Sequence, residues 1–521
     1  MAPEKSNGPE ASAGTSSNLP FGPTRFPEEL RASGEVLARA ARRSGEEARD
    51  VLGSVGPPLD AAFPARLGDL YRAQAFLWAG AGIAVGERLG RTPVGLVSDG
   101  LAPSRRALVL GTVASELWSG YAVLRERARW FPRLVSEEDW GLQHRRGAGR
   151  VLDAAAALGG TLIKAGQFAS TRPDLLPLAY TETLSGLQDR VPPQPWPVIQ
   201  EAVSRELRRP TAEVFAGFDR EPIAAASIAQ VHRACLRDGR EVAVKVQYPR
   251  IAGLIEADLL ALESIFGAIS RLEPSVRLRP ILDYLRWTLP LELDFRHEAR
   301  AIGDLRRALE HRADDVTIPD VVEGPSTYRI LVMGFEKGVK VNDREGLVAA
   351  GMDPREVAEL LIDVYADQLF RRGVFHADPH PGNLLARQGS EGPTLVLLDH
   401  GLTVRVEPDL VESLRGVVLA LEVGDYEGLF ASLQKAGLEL GPEADLDTLL
   451  GLVGVLLGNE REEADDGDLG GFGLKLGSSV GGIPVELLLV GRAVGLIDGI
   501  ARHLYPDIDT IGIVARHVRE S

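Results

Sequence analysis

The stretch GVFHADPHPGNLL, Gly373 to Leu385, sets two histidines, an aspartate, an asparagine and two prolines between apolar flanks. Polar groups packed this densely need water or a ligand, because burying them without partners is costly. The stretch is therefore either an exposed turn fixed by Pro379 and Pro381 or a site. By residue type alone, His376, Asp378 and His380 suit a zinc or iron ligand set, with His400 downstream as a further candidate.

Spacing favours a different chemistry. Asp378 and Asn383 stand five residues apart, the interval between Asp and Asn in the catalytic loop H-R-D-L-x-x-x-N. Downstream, the β-prone run LVLLD (395–399) leads into Asp-His-Gly at 399–401, where that motif set has D-F-G. Upstream, VAVKV (242–246) places Lys245 as the strand V-A-I-K places its lysine. The order Lys245, Asp378, Asn383, Asp399 meets the needs of magnesium-dependent phosphoryl transfer. A lysine steadies phosphates, one aspartate orients the attacking hydroxyl or water, and an Asn–Asp pair grips the metal.

With these residues in view the chain resembles the UbiB/AarF/ADCK-type atypical protein-kinase-like family over about residues 146 to 505. KAGQ (164–167) looks like its KxGQ signature, AAASIAQVH (224–232) like its Ala-rich nucleotide loop, and ELDFRHEA (292–299) like its ExD helix. The 373–385 stretch looks like its modified catalytic loop. The resemblance implies ATP and Mg²⁺ as cofactors and an α+β, two-lobed kinase-like fold, with a small β-containing lobe, a mostly helical lobe and an added helical extension. Residue by residue, it implies catalytic roles for Asp378, Lys245 and its ion-pair partner Glu298, with Asn383 and Asp399 as metal ligands. Ala224, Ala225, Ala226, Ser227, Lys245 and Met333 would contact nucleotide. Lys164 and Gln167, with Glu292 and Asp294, would form a regulatory layer over the pocket. His376 and His380 would then shape the loop by hydrogen bonds.

The weaker signals have plain structural explanations as well. An Ala-rich segment is also a helix start, a helical lysine such as Lys164 is usually a solvated surface residue, and Glu292 with Asp294 would suit a charged helix start. No G-x-G-x-x-G or Walker A pattern occurs, so Ala224 to Ser227, 18 to 21 residues before Lys245, are the candidate phosphate cover. His400 replaces the phenylalanine of D-F-G, and Gly334 in VMGFEKG (332–338) replaces an acidic hinge residue; backbone groups are expected to read adenine there. No A-P-E follows Asp399, and a helix is expected from Pro408, which leaves little room for a peptide platform. The expected target is a small or lipid-like molecule, or else a purely ATP-driven conformational cycle, in keeping with the isoprenoid quinone biosynthesis or lipid handling that the resemblance implies.

Composition is that of a globular protein. The hydrophobic share of 45% supports a packed core. A formal charge of −16 argues against nucleic acid as a partner. The single Cys235 excludes an internal disulfide and fits a reducing compartment. The first 25 residues read as a Pro/Gly/Ser-rich disordered tail and not a signal peptide. The apolar runs 75–86 and 449–458 fall short of the ~18 residues of a membrane span, so a cytoplasmic protein is expected, with any membrane contact peripheral. The expected organisation is a tail (1–25), a helical region (26–145), a KxGQ extension (146–218), a small lobe (219–340) and a large lobe (341–521). A Gly-rich acidic segment, 459–473, reads as a solvated loop. Two rivals stand beside the kinase/ATPase reading: a nucleotide-sensing pseudokinase scaffold without turnover, and a metallohydrolase on His376, Asp378, His380 and His400. The latter leaves Lys245 and Asn383 unexplained.

Overall fold

The computed structural model describes residues 101–520 except 131, 171, 173–174, 188–192, 273–277, 441–479 and 483. The expected tail, the apolar runs at 75–86 and 449–458, the acidic loop and most of the helical region 26–145 lie outside the described residues. The chain divides at Ser119/Gly120, and both lobes lie in the unit from Gly120 onward. No helix among the described residues is long and apolar enough to cross a membrane.

Helix α1 (Leu101–Trp130) is followed by α2 (Glu137–Leu158), α3 (Thr161–Ser170), α4 (Leu178–Ser185) and α5 (Trp196–Leu207). Strands β1 (Phe215–Phe218), β2 (Ala224–Ala225), β3 (Ala229–Leu236) and β4 (Glu241–Gln247) come next, then α6 (Ile251–Leu272), α7 (Arg279–Glu292) and α8 (Phe295–Ala308). Strands β5 (Val316–Thr317), β6 (Ile330–Gly334) and β7 (Val339–Lys340) lead to α9 (Arg344–Ala349) and α10 (Pro354–Ala366). Beyond lie β8 (Val374–His376), β9 (Leu384–Gln388), β10 (Pro393–Leu397) and β11 (Thr403–Arg405). Helices α11 (Pro408–Val423) and α12 (Tyr426–Lys435), the pair β12 (Glu439–Leu440) and β13 (Val480–Gly482), α13 (Val485–Leu504) and α14 (Thr510–Glu520) complete the described chain.

The small lobe is an antiparallel sheet ordered β1-β3-β4-β6, with β2 added to β3. It begins at Phe215, four residues before the lobe boundary expected at 219. In EVAVKVQ the side chains of β4 alternate between the two faces of the sheet. Val242, Val244 and Val246 are fully buried on one face. On the other, the register sets Lys245 opposite Val231 and Leu331, and Ala243 opposite Met333. Helix α8 packs against β6 and buries Phe295, Ile302 and Leu305.

The large lobe is mostly helical and rests on a sheet ordered β5-β10-β9-β7, to which β5 and β7 come from before the boundary expected at 341, and on a ribbon β11-β8. Helix α10 covers β10 with Val357 and Leu361 fully buried, and α13 and α14 pack on its other sides. At its end, Asp367–Arg372 winds as a π-helical turn, a feature that clusters at functional sites. The turn closes on Gly373 at φ 58, a left-handed conformation in which a Cβ would also stand 3.3 Å from the Val406 carbonyl.

That π turn buries Asp367 under His517 of α14, whose Nε2 lies 3.6 Å away, and His311, whose Nε2 lies 2.9 Å away. His517 Nδ1 also stands 3.3 Å from Asp363, which Arg312 pairs at 2.6 Å. The Asp363 carboxylate, then the nearby Asp367 carboxylate, holds the His517 imidazole above its usual pKa. His517, then Arg312, outweighs burial and holds Asp363 down to about 2. A raised histidine stabilises fully below its unfolded value near 6.5 and loses that contribution as pH rises through its folded value. Replacing His517 with glutamine is therefore expected to cost about 1.5–3 kcal/mol at pH 6, and the deficit is expected to shrink by pH 9. Thermal unfolding of both proteins at the two pH values checks this; an equal deficit at both would contradict it.

Candidate active site

Strand β4 delivers Lys245 to the cleft face of the sheet, and α8 delivers Glu298 from its first turn. Lys245 Nζ donates to Glu298 Oε1 at 2.8 Å and Oε2 at 2.9 Å, and to Asp399 Oδ2 at 3.2 Å. Burial works against the Lys245 charge, but Asp399 and Glu298 more than offset it and hold the ammonium above the usual lysine range. Burial pushes the Glu298 carboxyl up to about 7, opposed by Lys245 and by the His400 N–H. Burial is also the largest influence on Asp399, but the same lysine together with the Gly401 N–H and nearby cations outweighs it and holds that carboxylate well below its usual range. The result is one partly buried cation shared by two carboxylates from different lobes.

The hairpin of β9 and β10 brings Asn383 against Leu398, the neighbour of Asp399. Its register pairs Leu384 with Leu397, so the residues just outside the hairpin's open end come together, and the Leu398 N–H donates to the Asn383 carbonyl at 2.9 Å. Asn383 turns its Nδ2 toward the Asp378 carbonyl at 3.4 Å, which leaves Oδ1 as an oxygen donor. Asp378 Oδ1 accepts from Arg492 Nη2 of α13 at 2.9 Å. The loop is fixed from beneath. His376 is buried, with Nδ1 2.7 Å from the Tyr365 hydroxyl, its backbone N–H on Gln368 Oε1 at 3.0 Å and its ring on the Asp399 backbone. The His380 Nδ1 accepts the Gly382 N–H at 3.1 Å and so caps the turn Pro381–Asn383.

His400 is fully buried, its Nε2 on the Leu397 carbonyl at 2.9 Å and its ring 5.6 Å from that of His376. Burial holds its pKa down to about 3, so the imidazole stays neutral and packs as the phenylalanine of D-F-G would. Among the described residues no three His, Cys, Asp or Glu side chains are grouped as metal ligands. His376 is taken up by the loop's own bonds and His400 by the Leu397 carbonyl through Nε2, its Nδ1 being buried without a hydrogen-bond partner, so the described residues assemble no ligand set for the metallohydrolase reading.

The Ala-rich segment is not a helix start. Ala224 and Ala225 pair with Val231 and Gln230 as strand β2, and the Ala226 N–H donates to the Ala229 carbonyl at 2.8 Å, closing a tight turn through Ser227. Met333 is buried in β6, its register partner Ala243 on one side and a bridge to Val321 on the other. The Gly334 and Phe335 N–H groups donate to the Asp320 and Glu241 carbonyls. Those two N–H groups are therefore engaged within the lobe, and the register puts the Met333 side chain on the Lys245 face.

In the helical extension, Lys164 of α3 pairs with Glu292 of α7 at 3.3 Å. Phe168 stacks on Tyr284 at 3.8 Å, and Tyr284 feels the charges of Lys164, Glu292, Arg492 and Asp378. Lys164 also helps hold Asp399 ionised. Gln167 Nε2 donates to the Leu187 carbonyl at 3.3 Å. Gly166 makes that approach possible, since a Cβ there would meet Leu187 Cδ1 at 2.2 Å. Glu292 and Asp294 do not share a helix start: Glu292 ends α7 and Asp294 caps α8, accepting the Arg296 N–H at 3.0 Å and its guanidinium at 2.9 Å. Arg492 escaped the sequence reading because it is one arginine in the apolar run ELLLVGRAVGLIDGI (486–500), far past the last motif.

The family model for the ABC1 atypical kinase-like domain matches residues 186–433. AarF domain-containing protein kinase 1 of Xenopus tropicalis is 40% identical over 261 residues, 50% of this chain and 50% of that protein. The chain thus spans about half the length of the AarF domain-containing relatives it matches. A protein of Clostridium pasteurianum, described as uncharacterized in the hydrogenase 1 5′ region, is 30% identical over 371 residues, 70% of this chain and 68% of its own. The probable serine/threonine-protein kinase abkB of Dictyostelium discoideum is 31% identical over 382 residues, 70% of this chain and 55% of its own. On the motifs, the lobes and these matches together, the chain belongs to the ABC1/AarF atypical kinase-like family.

Proposed function

We propose that the chain is an ATP- and Mg²⁺-dependent atypical kinase or ATPase that acts on a small or lipid-like molecule, or on water, and not on polypeptides. The observation that carries this reading is the Lys245–Glu298 pair, with Asp399 on the same ammonium. A lysine held by a helix glutamate, with the Asp of the D-F-G position beside it, is the arrangement that phosphoryl transfer requires. Lys245 would hold nucleotide phosphates, and Asp378 would orient the attacking oxygen.

The donor set fits magnesium. Asp399 is ionised and partly exposed, and Asn383 presents an amide oxygen, both hard oxygen ligands. When bound, the ion would bridge phosphate oxygens and neutralise developing charge. The Ala224–Ser227 turn, with methyl groups in place of glycine hydrogens, would cover the phosphates less closely than a Gly-rich loop. Lys164 and Glu292 would close the side from which a peptide enters. Helix α11 begins at Pro408, soon after Asp399, so that segment supplies no peptide platform. These features favour a compact acceptor, in keeping with a role in isoprenoid quinone or lipid handling.

The test is radiolabelled ATP with magnesium, scoring free phosphate against label on casein. Slow, magnesium-dependent phosphate release with unlabelled casein is the expected result. Robust casein labelling would overturn the restriction to small acceptors, and ATP binding with no phosphate release would leave a sensing scaffold.

A further inference from the structure

Arg492 is the cation that the motif-based reading did not use. It reaches Asp378 from α13, beyond the residues that the family model matches. Helix α13 packs on α10, the helix that carries Tyr365 under His376, so the arginine and the loop it touches rest on one support. The side chains of Arg492 and Asp378 are each 25% exposed, which places the pair at the edge of the cleft and mostly out of water. There a charge acts over a lower effective dielectric than at the open surface.

The hydrogen bonds are lopsided. Arg492 spends Nη2 on Asp378 Oδ1 and makes no other hydrogen bond among the described residues. A guanidinium has five N–H donors in a planar fork, so most remain to be satisfied by water or ligand. Asp378 likewise has Oδ1 occupied, while Oδ2 has no hydrogen bond among the described residues. One carboxylate oxygen is fixed and the other is open.

We propose that Arg492 is a catalytic arginine supplied in cis: it orients Asp378 through Oδ1 and presents its other N–H groups to the terminal phosphoryl group of ATP. This rests on the nucleotide-site reading above. In the step, the attacking oxygen bonds to the γ-phosphorus as the bond from that phosphorus to the β–γ bridging oxygen breaks. The electron pair leaves with ADP, and the attacking group's proton passes to Asp378 Oδ2. Lys245 lies on the opposite lobe with two carboxylates already sharing its charge. A second cation on the large-lobe side therefore meets charge that Lys245 does not neutralise. Arginine suits the task because its fork matches phosphate oxygens bidentately.

Because the contact is to the γ-phosphoryl group, it discriminates ATP from ADP, which a merely structural ion pair would not do. Calorimetry with magnesium and either nucleotide, together with phosphate release, tests this on wild-type, Arg492→Gln and Arg492→Lys full chains. Arg492→Gln is expected to bind ADP within about twofold of wild type and ATP about tenfold more weakly. Its phosphate release is expected to fall by about 10²-fold or more, and Arg492→Lys should recover part of both losses. Equal loss of ATP and ADP affinity, or release at or above the wild-type rate, overturns the inference while leaving the nucleotide site intact. Failure of the wild type to bind either nucleotide overturns the site reading and this inference with it. Should Arg492→Gln not fold, Arg492→Lys carries the same test, because it keeps the charge but loses the fork: unchanged ATP/ADP discrimination and release would then refute the assignment.

Discussion

Asp378→Asn is expected to lower phosphate release by about 10²–10⁴-fold, the usual worth of a positioned acid–base group, while ATP affinity stays close to that of the wild type. The geometry separates the two quantities. Asp378 faces Arg492, and its backbone carbonyl, not its carboxylate, takes the Asn383 amide and the His380 N–H. Asparagine preserves those backbone contacts and the size of the side chain but cannot take a proton from the attacking oxygen. Phosphate release measures the loss, and calorimetry measures the retained binding. Parallel losses of both would mean that Asp378 binds nucleotide or holds the loop together.

Lys245→Ala is expected to have the second large effect, on binding, turnover and stability together. It removes the donor of two contacts to Glu298 and one to Asp399. Breaking a buried pair by removing one partner costs about 3–5 kcal/mol, mainly because a charge is left buried alone. Glu298 already has its pKa pushed up to about 7 by burial, and without the lysine it would rise further and be held neutral. The double variant Lys245→Ala/Glu298→Ala should therefore be less destabilised than the sum of the two single changes, which a thermal-unfolding cycle reads directly. Nucleotide binding should be weakened in the double variant as in Lys245→Ala. Strict additivity in unfolding would show that the two side chains do not act as a unit.

Much of this arrangement was legible in the sequence because it depends on short local patterns. The alternation in EVAVKVQ fixes which β4 residues face the cleft, and the spacing of Asp378, Asn383 and Asp399 is set by one loop and one hairpin. Pro408 starts α11 where its fixed φ is favourable. What the pattern left unread depends on long-range packing. Ala224 and Ala225 carry no strand signal of their own; β3 imposes one by pairing. Glu292 and Asp294 look like neighbours on a helix until a break at Leu293 gives them different helices. The buried His517–Asp363–Asp367 cluster joins residues about 150 positions apart, and Arg492 reaches Asp378 across 114. Neither leaves a periodic trace.

The central claim is that Lys245 and the Asn383–Asp399 pair hold a magnesium nucleotide while Asp378 turns it over. It is tested most directly by titrating ATP into the wild type, Lys245→Ala and Asp378→Asn, first with magnesium and then with excess EDTA. The prediction is magnesium-dependent binding by wild type and by Asp378→Asn, lost with EDTA, and binding by Lys245→Ala weakened by about tenfold or more. Equal ATP binding by all three proteins, unchanged by EDTA, would contradict it.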